Sequence, residues 1–162
     1  MTSDQKMTEI ERLKAIVEQL RSENGCPWDR AQNHESLKPA CIEEAAEVIC
    51  GINILSETGD AENLKEELGD LLLQVMFHAV LAEEGLFTFD DVAKTVSDKM
   101  VRRHPHVFSG IVYESRDEQL RAWDEIKRAE KAGKEWHEDY LPAAFNEAAA
   151  LIEKVRERKH FR

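Results

Sequence analysis

The chain has 162 residues, 42% hydrophobic and 34% charged, with a formal net charge of −11. That length suits one domain with a real core, and the apolar content excludes a disordered chain. The acidic balance disfavours nucleic-acid polymers and anionic membranes, because phosphate groups are bound chiefly through Lys and Arg.

The first predicted helix carries Ile10, Leu13, Val17 and Leu20 at helical spacing. NGCPWDRAQNH, with Gly25 and Pro27, reads as a loop, and a second helix starts between Ser36 and Pro39 and runs to about Leu55. SETGD breaks it, with Gly59 suited to a left-handed conformation and Asp60 placed to cap a third helix extending to about Glu84. Within that helix LLLQVMFHAVLA is apolar nearly all round, which predicts burial on several sides and favours a subunit interface. Phe89, Val92, Val96 and Met100 mark a fourth helix, opened by Thr88 with Asp91 and stopped by Pro105. Ser115 with Glu118 opens a fifth, and Leu141 onward forms a last helix after a break at 133–142. The expected fold is an all-α antiparallel helical bundle, with a domain over 1–135 and a helical tail over 136–162.

No apolar run approaches the roughly 20 residues that span a bilayer, and MTSDQKMTEIERL is too polar for a signal peptide. A cytoplasmic protein is therefore expected. Cys26, Cys41 and Cys50 form no CxxC and are expected to be buried, reduced thiols.

The chemistry gathers on the second and third helices. Residues three or four apart on a helix are neighbours, so Glu43 and Glu44 approach Glu47, and Glu67 approaches Asp70. The pairs Glu44/Asp70 and Glu47/Glu67 are both symmetric about position 57, inside SETGD. An antiparallel hairpin turning there sets the members of each pair opposite one another. Carboxylates so gathered raise one another's pKa unless a cation intervenes, and an all-oxygen donor set suits Mg²⁺ or Mn²⁺. A single EExxE reads more simply as a solvated helix face; the two-sided match, flanked by Val48, Ile49, Leu68 and Leu71, argues against that reading. Glu62, Lys65 and Glu66 read as surface residues. A di-iron bundle would need Glu-x-x-His motifs that neither cluster supplies, and His34-Glu35 is not completed to HExxH.

NGCPWDRAQNHESL at 24–37, EEAAE at 43–47, EELGDLLLQV at 66–75, DKMVRRHPHVF at 98–108 and WDEIKRAEK at 123–131 resemble the MazG-type nucleoside triphosphate pyrophosphohydrolases, members of the all-α NTP pyrophosphatase superfamily. The resemblance implies Mg²⁺-dependent hydrolysis of an NTP to NMP and pyrophosphate in a helical homodimer or higher oligomer. By motif position Glu44, Glu47, Glu67 and Asp70 correspond to metal ligands, and Glu43 is the candidate that orients or deprotonates the attacking water. Lys99, Arg102 and Arg103 are similar to positions that contact the triphosphate, in a chain without a GxxxxGK loop. As a simpler alternative, cations favour a helix C-terminus. Trp123 and Lys127 are candidates for base stacking and phosphate contact, and Trp28 and Gln32 for covering and reading the base; a core role for either Trp stays open. His104 and His106 flank Pro105 and suit a packing role as well as a catalytic one. Many relatives carry two such domains in tandem, and Asn33 and Ala46 stand where they often have a Thr and a larger aromatic. The competing function is a non-catalytic nucleotide-binding or helical dimerisation module that keeps the metal site. A sibling activity, on dUTP or phosphoribosyl-ATP, fits the CPWD and RRHPHVF segments less well.

Overall fold

The computed structural model describes residues 7–83 and 85–160 and contains helices without a strand among them. The chain folds as two compact units, one running to Phe89 and resuming at Ala148, the other spanning Asp90–Glu147. The expected all-α class holds.

In the first unit, α1 (Glu9–Arg21) opens with a reciprocal cap: Glu11 N donates to Thr8 Oγ1 at 3.2 Å and Thr8 N to Glu11 Oε2 at 2.7 Å. The segment expected as a loop contains a short helix, α2 (Pro27–Ala31). Pro27 has no N–H to leave unsatisfied in a first turn, and Arg21 Nη1 donates to the Asp29 and Gln32 carbonyls at 2.6 and 3.1 Å, tying α2 to α1. Gly and Pro pointed to a turn, and that long-range tie was invisible in the local sequence.

α3 (Lys38–Thr58) and α4 (Glu62–Ala82) form the hairpin. Gly59 adopts φ 79° at the end of α3, and Asp60 Oδ1 accepts from Glu62 N at 2.9 Å at the start of α4. The two helices approach most closely where Gly51 faces Leu64, since a Cβ at Gly51 would sit 2.7 Å from the Leu64 Cα. The midpoint of that pair falls between 57 and 58, within half a residue of the centre expected for the acidic pairs.

Val17 of α1, Leu37, Met76 and Phe77 make the core, with Leu13, Leu73, Val80, Leu81 and Phe89 packed on it. Burying a side chain such as Met76 contributes roughly 1.5–3 kcal/mol. Much of the burial expected for LLLQVMFHAVLA is thus met within the chain, and Val75 is left 38% exposed. Of the thiols, Cys26 and Cys41 are half-buried and Cys50 is exposed, not buried as expected; all are free.

The second unit contains α5 (Phe89–Arg103) from its second residue, α6 (Pro105–Phe108) and α7 (Arg116–Lys131). A 3₁₀ turn (Glu135–Tyr140) follows, then the first turns of α8 (Leu141–Arg158). Ser115 caps α7 by accepting from Glu118 N at 3.2 Å, as its spacing with Glu118 implies. Pro105 follows the end of α5 and opens α6. No described helix is long and apolar enough to cross a membrane.

Candidate active site

The hairpin brings Glu44 of α3 and Glu67 and Asp70 of α4 together, with one carboxylate oxygen from each within 4.8 Å of the others. No described cation pairs with any of the three. Glu67 accepts from Asn63 Nδ2 at 2.8 Å, which fixes one of its oxygens. Burial raises the Glu44 carboxyl above its ordinary value, and the negative charges of Asp70, Glu43 and Glu67 push it the same way. A divalent cation answers that repulsion, and three carboxylate oxygens are the donor chemistry of Mg²⁺ or Mn²⁺.

Glu47 lies outside this trio. Its carboxylate pairs with Lys159, just beyond the end of α8, and the same ammonium lies 2.9 Å from Glu43. Arg158 also pairs with Glu43. Burial pushes the Glu43 carboxyl up, but the hydrogen bonds and charges of Lys159 and Arg158 outweigh it and hold the group below the usual carboxylate value. Four carboxylates were expected to converge, with Glu43 beside them; Arg158 and Lys159 neutralise Glu43 and Glu47.

The expected substrate contacts fall in two places. Trp28 on α2 is 66% exposed, and Gln32 turns inward locally, donating to the Trp28 carbonyl at 3.0 Å and accepting from Ser36 Oγ at 2.7 Å. In the second unit Arg102 and Arg103 both bind Glu130, Arg103 through contacts of 2.7 and 2.9 Å and Arg102 through 3.1 and 3.3 Å. Lys127 Nζ sits 4.3 Å over the Trp123 ring and Arg103 Cζ 5.9 Å from its centroid. Lys99, on α5, makes no ion pair among the described residues. Arg103 and Trp123 line a cavity of about 280 Å³ with Tyr113, Arg116 and Gln119. His104 and His106 also line it: His104 donates to the Met100 carbonyl at 2.7 Å, and Gln119 Nε2 donates to His106 Nε2 at 3.1 Å.

Sequence reasoning missed Glu130, Lys159 and Arg158. A signal existed for the first, because Glu130 follows Lys127 by three and Trp123 by seven on one helix face. The basic RERK run at 156–159 was visible, but nothing local indicated where it would dock. A second unforeseen cluster joins His34 to His78, Nδ1 to Nδ1 at 2.7 Å, and His78 Nε2 to Cys41 Sγ at 3.4 Å.

A profile described as the MazG nucleotide pyrophosphohydrolase domain matches residues 32–108. The nucleoside triphosphate pyrophosphohydrolase/pyrophosphatase MazG of Thermotoga maritima is 50% identical over 126 residues, covering 77% of this chain and 46% of that protein. The nucleoside triphosphate pyrophosphohydrolase of Escherichia coli K12 is 45% identical over 133 residues, covering 81% of this chain and 49% of its own. The uncharacterized protein YabN of Bacillus subtilis is 48% identical over 124 residues, 76% of this chain and 24% of its own length. The chain therefore spans about half, or less, of the curated relatives it matches.

Proposed function

We propose, from the match of residues 32–108 to the MazG nucleotide pyrophosphohydrolase domain, that this chain belongs to that family and hydrolyses nucleoside triphosphates to nucleoside monophosphates and pyrophosphate with Mg²⁺, or Mn²⁺ in its place. The observation that carries the reading is the convergence of Glu44, Glu67 and Asp70 across the hairpin, with no ion pair to any of the three among the described residues. Two relatives whose names state this activity support it.

Glu44, Glu67 and Asp70 would hold the ion, and Glu47 is the proposed fourth ligand, which requires its carboxylate to leave Lys159. Bound there, the ion supplies positive charge against the phosphates and lowers the pKa of water. Glu43 is proposed to orient the attacking water and accept its proton, being an ionised carboxylate on the turn that also carries Glu44 and Glu47. The water oxygen bonds to the α-phosphorus, the bond to the bridging oxygen breaks, and pyrophosphate leaves. Lys99, Arg102, Arg103 and Lys127 are the proposed phosphate contacts. An assembly of two or more copies is proposed from the exposed apolar side chains of Ile49, Ile52 and Leu68 on the hairpin; a monomeric mass by light scattering contradicts it.

Product-resolved chromatography of NTPs incubated with Mg²⁺ tests the reaction. Pyrophosphate and NMP are expected, and orthophosphate with NDP would overturn the assignment. One observation favours a second reading, a non-catalytic nucleotide-binding or dimerisation module: Glu43 and Glu47 are already held by Arg158 and Lys159. That reading predicts nucleotide binding with no product under any divalent metal.

A further inference from the structure

In the second unit Glu130 holds two guanidiniums and leaves an edge of each free. Its Oε2 accepts from Nε and Nη2 of Arg103 at 2.9 and 2.7 Å, and its Oε1 accepts from the same two atoms of Arg102 at 3.3 and 3.1 Å. A guanidinium is a planar fork of five N–H donors, so two bonds to one oxygen pin its plane while Nη1 keeps both hydrogens. Arg103 is the better held of the two. Its side chain and that of Glu130 are each 19% exposed, against 55% for Arg102.

Arg103 lines the cavity of about 280 Å³ and Glu130 does not, so the carboxylate grips the guanidinium from outside that space. No carboxylate lines the cavity, and Arg116 on its wall makes no ion pair among the described residues. With Gln119 Nε2 donating to its Nε2, the His106 ring carries its proton on Nδ1, a buried atom without a partner. A buried donor left unpaired is costly, and an acceptor oxygen on a ligand relieves it. Donors gathered in this way suit an oxyanion.

We propose that Glu130 is a positioning residue for the hydrolysis: it fixes the Arg103 guanidinium so that the open edge meets a phosphate group of the substrate. The inference rests on the reading of Arg103 as a phosphate contact. A guanidinium on a mobile stem loses its freedom when a ligand captures it, whereas one already held by Glu130 has lost that freedom beforehand. The Trp123 ring, its centroid 5.9 Å from Arg103 Cζ, constrains the same group. Charge alone works in the opposite direction. The Glu130 carboxylate repels a phosphate, so by Coulomb's law its removal tightens anion binding, whereas by placement its removal weakens it.

The probe is inorganic tripolyphosphate, titrated by calorimetry into the full chain in metal-free, low-salt buffer. Glu130→Gln is expected to weaken binding about three- to tenfold, the range that ordering one flexible side chain costs. Unchanged or tighter binding overturns the role. Because Glu130→Gln also loosens the fold, Glu130→Asp supplies a second variant that keeps the charge but reaches one methylene less far; it should weaken binding too, and parent-like affinity overturns placement. In an Arg103→Lys background Glu130→Gln should change affinity by less than about twofold, since the group it acts through is gone. Equal weakening in both backgrounds overturns action through Arg103. In NTP hydrolysis Glu130→Gln should raise KM and leave kcat within about twofold, and a fall in kcat with KM unchanged contradicts the role. If the parent binds tripolyphosphate in a Glu130-dependent way yet releases no pyrophosphate from NTPs, the hydrolase reading fails and Glu130 still places Arg103 for an oxyanion.

Discussion

The two units handle charge in opposite ways. In Asp90–Glu147 one carboxylate, Glu130, answers two neighbouring guanidiniums, Arg102 and Arg103, and the group closes on itself. On the hairpin Glu44, Glu67 and Asp70 face one another with no described cation paired to them, and burial pushes the proton affinity of Glu44 up. The contrast separates a node whose charges are matched within the chain from an acidic cluster left to receive a cation. A matched node gains nothing from an added metal cation, whereas an open acidic cluster is stabilised by one through mass action. Changing one residue in each region therefore has opposite consequences for stability.

The largest effect is expected at the open cluster. Asp70→Asn removes one of three mutually repelling carboxylates, so the metal-free protein should melt higher than its parent, by up to about 1 kcal/mol. The same change should cut pyrophosphate release by on the order of 10³, the equivalent of several kcal/mol of charge stabilisation lost at the phosphates. Calorimetric melting with and without Mn²⁺ and a single-turnover assay measure both. A variant that melts lower without metal, or that keeps full turnover, breaks the reading of the hairpin as an open cation site.

Much of the hairpin was legible in the sequence because its determinants are local. Gly59, Asp60 and the helical spacing of Glu43, Glu44, Glu47, Glu67 and Asp70 indicated the turn, and the Gly51–Leu64 approach centres the hairpin within half a residue of the expected position. The fate of Glu47 was not legible, since Lys159 lies 112 positions away and docks through an ion pair that no periodicity encodes. The same holds for Glu130 and its arginines, separated by 27 and 28 positions. Local chemistry states which residues can meet on one helix; which distant charge reaches them depends on packing.

The closed node yields the second prediction. Glu130→Gln leaves Arg102 and Arg103 facing each other without their shared anion and should destabilise the protein by about 1 kcal/mol in urea unfolding near neutral pH. Hydrogen bonding from Arg103, supported by Arg102, holds the Glu130 carboxyl below its ordinary value of 4.5, against an opposing burial effect. The parent's advantage is therefore present above that ordinary value and is lost as pH falls through the lowered folded one. A difference between parent and variant that is as large at pH 2 as at pH 7 would show that the carboxylate charge is not what Glu130 contributes.

The smallest effect tests whether Lys159 competes for the cation site. Lys159 pairs with Glu47, the proposed fourth ligand, and lies 2.9 Å from Glu43. Lys159→Ala frees Glu47 and leaves Glu43 paired with Arg158, so Mn²⁺ should bind about two- to fivefold more tightly, the range set by an exposed ion pair worth up to about 1 kcal/mol. Removing any nearby positive charge also favours a cation, and Lys154→Ala controls for this, because Lys154 makes no ion pair among the described residues and leaves Lys159 in place. A direct competitor gives a gain for Lys159→Ala well beyond that for Lys154→Ala, and raising ionic strength narrows the gap as the pairs to Lys159 are screened. Equal gains in the two variants would mean that Glu47 is already available to the ion, and that the hairpin is as open at its fourth position as at the other three.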